Sequence, residues 1–144
     1  MLKENYNISI IGKQSMDGDD MNEINLNTVG SYTKRGHTRF IAYKEYQADN
    51  PKLSHTSFLK VELGKVTVMY GNSPTRLILE EGKRHLCLYD TGFGSLTLGV
   101  FTSAVDDNLD DNGGKLDVAY TMDINCNLSS CNEIHVEVSP RLED

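Results

Sequence analysis

The residues best placed to do chemistry in this chain are acidic. Asp106-Asp107-Asn108-Leu109-Asp110-Asp111-Asn112-Gly113 resembles a calcium loop in composition. Read in register, Asn108, Asp110 and Asn112 precede Gly113 as such a loop requires, with Asn in place of the first Asp. The twelfth position, which should carry a bidentate carboxylate, is Ala119. The segment therefore reads as a solvated hairpin turn. Asp17, Asp19 and Asp20 read the same way. The histidines are His37, His55, His85 and His135, and no two stand at metal-ligand spacing. Cys126 and Cys131 have a spacing that zinc sites use, but Cys87 stands alone and no second pair exists. Neither a metal nor a cofactor is expected. Gly92-Phe93-Gly94-Ser95 lies between two strand patterns with no helix after it, so it is neither a nucleophile elbow nor a phosphate loop.

A second group mixes aromatic rings with hydrogen-bonding tips: Tyr43, Glu45, His85, Tyr89 and Tyr120. That composition suits a small-molecule pocket. It also suits plain packing, because a tyrosine inside a barrel commonly serves as core with a satisfied hydroxyl. Both readings stay open on sequence alone. The nearest catalytic reading would make Glu45 or His85 a general base, and no recognised spacing supports it. An enzyme is the weakest of the readings.

These residues are carried by strands. The stretch from Arg84 to Ile124 has the densest alternation of apolar and polar residues and reads as three strands joined by two turns. Leu116, Val118, Tyr120, Met122 and Ile124 share one phase, against Lys115, Asp117 and Asp123 in the other. That phase should face inward, taking Tyr120 with it. On the preceding arm His85, Cys87 and Tyr89 share one phase and Leu86 and Leu88 the other, and the pattern does not choose between them. Earlier strands are expected over Tyr6–Lys13, Glu23–Thr33, Thr38–Tyr46, Thr56–Leu63, Val66–Tyr70 and Thr75–Glu80, and a last one over Glu133–Ser139. The faces of the third strand are ambiguous. Gly30 interrupts the second and suggests a bulge or sharp bend. Gln47–His55 reads as a breaker-rich loop with room for a helical turn.

No window shows a helical apolar period, and the linkers are too short for parallel crossovers. The expected fold is all-β: one antiparallel meander of about eight to ten strands, closed into a barrel because closure removes exposed edges. The chain has 144 residues, a length that suits one domain spanning 1–144. Its net charge is −7 and no basic cluster exceeds Lys34-Arg35, so neither nucleic acid nor an anionic membrane is an expected partner. No apolar run reaches the length of a signal or membrane span. With three cysteines and no secretory signal, reduced thiols in the cytoplasm are expected.

Several segments in order resemble the YwiB-like family of small bacterial proteins. They are Tyr43-Lys44-Glu45, Val66-Thr67-Val68-Met69, and Tyr89 followed by Phe93-Gly94, Leu96 and Leu98. Thr102, Asn108-Leu109-Asp110, Gly114 and Val118-Ala119-Tyr120 with Met122 complete the set. The resemblance implies a calycin-type, lipocalin-like barrel and carries no activity with it. It also implies an Arg directly after Val68-Met69, where this chain has Tyr70. Glu45 is then either solvated or paired with some other group. Two functions remain in view. One is a barrel that holds a small ligand in its lumen or mouth; the other is a protein-interaction module with a filled core.

Overall fold

Alternating apolar and polar residues produce ten strands in the computed structural model: β1 (Tyr6–Ser15), β2 (Asn22–Arg35), β3 (Thr38–Tyr46), β4 (Ser54–Glu62) and β5 (Lys65–Met69) form the first half. β6 (Arg76–Glu80), β7 (Arg84–Asp90), β8 (Ser95–Asp110), β9 (Gly113–Ile124) and β10 (Asn127–Pro140) follow. The structure describes residues 5–16, 22–46, 54–71, 75–90, 93–124 and 127–141, without the side chains of Tyr46, Ser54, Tyr89, Asp90, Leu128 and Ser129. The acidic cluster Asp17, Asp19 and Asp20, the loop 47–53 and Cys126 lie outside these residues. Ser54 and His55, expected in that loop, instead open β4. The last strand begins at Asn127, six residues before the expected Glu133.

All ten strands belong to one sheet, in the order β6-β5-β4-β3-β2-β1-β10-β9-β8-β7. Two meanders, β1 to β6 and β7 to β10, are joined by the antiparallel β1–β10 ladder. The ladder breaks between β6 and β7, although only Glu81, Gly82 and Lys83 separate them. Gly82 adopts φ 78°, a left-handed turn that suits glycine. Its N–H donates to the Thr102 carbonyl at 2.8 Å, and Glu81 forms a parallel bridge with Thr102. The Glu81 carboxylate also accepts from Val105 N–H at 2.8 Å. The end of β6 thus abuts β8 at the register shift between Thr102 and Ala104, where a bulge frees backbone groups. The result is a nearly closed antiparallel barrel, with no helix among the described residues.

Gly30 is the bend that the sequence suggested. β2 pairs with β1 up to Gly30 and with β3 from Gly30 onward. A Cβ there would lie 2.0 Å from the Ala42 carbonyl oxygen and 2.6 Å from Ile8 Cδ1. Inside the barrel, Ile8, Ile41, Leu79, Val100, Leu116 and Val136 are fully buried. Tyr32 closes one end. Its hydroxyl donates to the Asp110 carbonyl at 2.6 Å and accepts from Arg39 at 2.9 Å, and its ring meets Tyr6 edge-on at 5.4 Å. Burial pushes this phenol up to about 12, against the opposing pull of Arg39.

Candidate functional site

The third strand resolves into an inner phase of Ile41, Tyr43 and Glu45, and register carries that phase onto β4. Tyr43 stands opposite Ser57, and Glu45 opposite His55. Extending β4 backward from Leu59 and Val61 reaches Ser57 and His55 by simple alternation. On the other half of the barrel, Leu116, Val118 and Tyr120 are buried as expected, while Ile124 emerges at the strand end. Tyr120 is paired with Thr102 on β8 and with Asn132 on β10. Asn132 donates to Ser130 Oγ at 3.0 Å and accepts from Gln14 at 3.1 Å. The barrel therefore has a polar belt at the end away from Tyr32, with apolar side chains between the two.

Electrostatics tie the belt together. Burial, then the Glu45 carboxylate and the Tyr70 phenol, hold Tyr43 well above the ordinary tyrosine range. Burial does the same to Tyr120, again with Tyr70 as the second cause. Tyr70 therefore acts on both walls from a position where the family resemblance implies Arg. Glu45 takes His55 as its partner, with Nε2 and Oε2 2.9 Å apart, and about a third of its side chain stays exposed. Both outcomes foreseen for Glu45, solvation and a replacement partner, are thus partly realised. Ser57 lies close enough to oppose the rise at Tyr43, yet its geometry falls short of a hydrogen bond. Ser57 Oγ and Thr102 Oγ1 are both buried without a hydrogen-bond partner.

Of the five residues singled out from sequence, Tyr43, Glu45 and Tyr120 belong to this belt. His85 makes a separate pair, 2.8 Å from Glu80 Oε1. That contact, ahead of Lys83, holds the Glu80 carboxyl below its usual range. The Tyr89 side chain lies outside the described residues. Alternation on β7 is settled in favour of Cys87, which is buried, while Leu86 and Leu88 face out. His55 and Ser57 were not among the candidates, and projecting the inner phase along β4 would have found both opposite Glu45 and Tyr43; Tyr70 and Thr102 are marked in the sequence only through the family resemblance. Hollows of about 480 Å³ by Asn7, Asn27 and Ser139 and about 240 Å³ by Phe40, Ala42 and Phe58 lie elsewhere on the wall. In the acidic loop, Asp110 Oδ1 accepts from Asn112 N–H at 2.8 Å and Asp107 Oδ1 from Leu109 N–H at 3.0 Å, so these carboxylates cap a hairpin turn. Among the described residues, no three His, Cys, Asp or Glu side chains converge as a metal site.

No curated protein matches the chain. Among solved structures, the ywiB protein from Bacillus subtilis superposes with a TM-score of 0.81 at 20% identity, covering 98% of this chain and 96% of that one. A monomer form of the M. tuberculosis PknI sensor domain superposes at only 0.45, with 10% identity, over 100% of this chain and 90% of that one. At 20% identity the first likeness establishes a shared barrel and nothing about activity. Residues 8–136 match the family described as a domain of unknown function, DUF1934, and the chain belongs to that YwiB-like family.

Proposed function

We propose that the polar end of the barrel binds a small, uncharged, hydrogen-bonding molecule between the β3–β4 wall and the β8–β9 wall. One observation carries this reading: Ser57 and Thr102, both 0% exposed, hold hydroxyls with no partner. Folded proteins rarely leave such groups unpaired, because each costs about 1–3 kcal/mol of desolvation. Each stands next to a buried tyrosine, Tyr43 or Tyr120, in the ladder. Both phenols stay protonated at neutral pH, so they can donate. Glu45, the carboxylate beside Tyr43, is already engaged by His55. A set of neutral donors and acceptors favours a neutral polar ligand over an ion.

The chain has no tryptophan and seven tyrosines, three of which, Tyr43, Tyr70 and Tyr120, belong to this belt, so tyrosine emission includes a signal from it. Protein isolated from its own host and sprayed under native conditions should carry a bound small molecule. The Ser57→Ala/Thr102→Val double variant should lose it. A wild-type protein that carries nothing, and whose tyrosine emission and melting temperature do not respond to a panel of small neutral polyols, amides and lactones, would overturn the reading.

A further inference from the structure

The outer wall of the barrel carries an aromatic hollow where a solvated sheet face ordinarily turns polar. On β2, β3 and β4 the outward positions set Ser31 opposite Ala42 and Ala42 opposite Phe58, with Thr33 opposite Phe40 in the next row. Ser31 and Ala42 point away from the core, yet they are only 5% and 6% exposed. Small side chains beside two half-buried phenylalanines leave a depression. It measures about 240 Å³ and is lined by Ser31, Thr33, Arg35, Phe40, Ala42 and Phe58. The hollow also has a charge to offer. Lys34 pairs with Asp111 at 3.6 Å, Arg39 donates to the Tyr32 hydroxyl at 2.9 Å, and Lys60, opposite Phe40, lies 3.9 Å from Glu62. Arg35 lines the hollow and has no side-chain partner among the described residues.

We infer that this hollow binds a small carboxylate carried on a single flat ring, of the benzoate or phenylacetate kind. The ring lies over Ala42 between Phe40 and Phe58, in the offset or edge-on contacts that aromatic pairs prefer. The carboxylate meets the Arg35 guanidinium, whose planar fork matches its two oxygens. The hydroxyls of Ser31 and Thr33 add donors along the β2 side. Size sets the limit: drug-sized ligands occupy pockets of about 300 Å³ and more, so this hollow admits one ring. The site is separate from the polar belt, because Ala42 faces out where its neighbour Tyr43 faces in. It stands or falls independently of ligand binding there.

Titration of the protein with benzoate, followed by nuclear magnetic resonance, tests it. Benzoate should bind with a dissociation constant of about 1 mM or tighter, and its ring protons should show contacts to Phe40, Ala42 and Phe58. Benzyl alcohol, which keeps the ring and lacks the charge, should bind more weakly. Arg35→Gln, at an exposed position, should leave the melting temperature unchanged, weaken benzoate about tenfold or more, and leave benzyl alcohol unaffected. Ala42→Leu should fill the hollow and abolish both; Arg35→Gln carries the test if that variant does not fold. Absence of saturable binding, contacts to Tyr43 or Tyr120 instead, or affinity indifferent to Arg35→Gln overturns the inference. Phenyl phosphate binding more tightly than benzoate overturns the carboxylate as the class.

Discussion

Replacing Thr102 by Val asks whether the polar belt holds an unmet hydrogen-bonding demand. Thr102 is 0% exposed and its Oγ1 has no partner. Its backbone is fully used: the carbonyl accepts from Gly82 N–H at 2.8 Å and its N–H donates to the Lys83 carbonyl at 3.4 Å. Valine has the same branching and the same preference for strands, so the bulge and the closure it makes with β6 should survive. Removing the hydroxyl relieves a penalty of about 1–3 kcal/mol. The methyl that replaces it is buried among Val100, Tyr120 and their neighbours, so the substitution leaves no cavity. The variant should therefore be more stable by about 1–3 kcal/mol, which for a domain of this size raises Tm by about 3–9 °C. Urea unfolding followed by far-ultraviolet circular dichroism gives the free energy, and an unchanged m-value shows that the unfolded state is unaltered. The same variant should bind ligand more weakly, so stability and binding move in opposite directions. A loss of about 1 kcal/mol or more would show that the hydroxyl already has a partner in the free protein. The argument for the belt would then fail.

Val118→Asp should destabilise by about 4 kcal/mol or more, since Val118 lies 2% exposed between Val105 and Ile134 and nothing there pairs with a carboxylate; a wild-type melting temperature would reassign the inner face of β9. Gly30→Ala should cost about 3 kcal/mol or more by forcing β2 off β3 at the bend, measured by urea unfolding, because the new methyl meets the Ala42 carbonyl rather than a movable side chain. His135 is bonded by Asp117 at 2.6 Å and Glu133 at 3.0 Å, which raise its pKa above that of an unfolded histidine. Its contribution to stability should be complete below the unfolded pKa and fade as pH rises through the folded one, and His135→Gln should flatten that part of the stability–pH curve.

Much of this architecture could be read before folding because period two is unambiguous where one face is wet. Leu116, Val118 and Tyr120 alternate with charged residues, and their inward phase follows at once. On β3 both phases contain apolar residues, and only the register with β4 shows that Ile41, Tyr43 and Glu45 face in. On β7 leucines occupy one phase and Cys87 the other, and hydrophobicity points the wrong way: the leucines are outside. The break between β6 and β7 was equally hidden. A three-residue turn ordinarily implies a hairpin, but the bulge at Thr102 offers the end of β6 a competing set of backbone groups. The site was half legible for the same reason. Tyr43, Glu45 and Tyr120 announce themselves by type, whereas Ser57 and Thr102 are small, common strand residues, and only their burial gives them meaning.

The two ends of the barrel use tyrosine differently, and the contrast bears on where function lies. At one end Tyr32 is fully engaged, giving a hydrogen bond to the Asp110 carbonyl and receiving one from Arg39, with the Lys34–Asp111 ion pair at 3.6 Å beside it. Those contacts tie the β2–β3 turn to the β8–β9 turn and satisfy the polar groups that burial exposes to a low dielectric. At the other end burial holds the Tyr43 and Tyr120 phenols well above the ordinary tyrosine range, yet the hydroxyls that stand opposite them across the ladder, Ser57 and Thr102, go without partners. A chain optimised only for stability could place alanine and valine at these two positions, since both fit a strand interior and neither leaves a donor unmet. The sealed end shows that this fold readily satisfies a buried tyrosine when sealing is all that is required. On the function proposed above, the unmet hydroxyls at the opposite end are half of an interaction whose other half would arrive with a bound molecule.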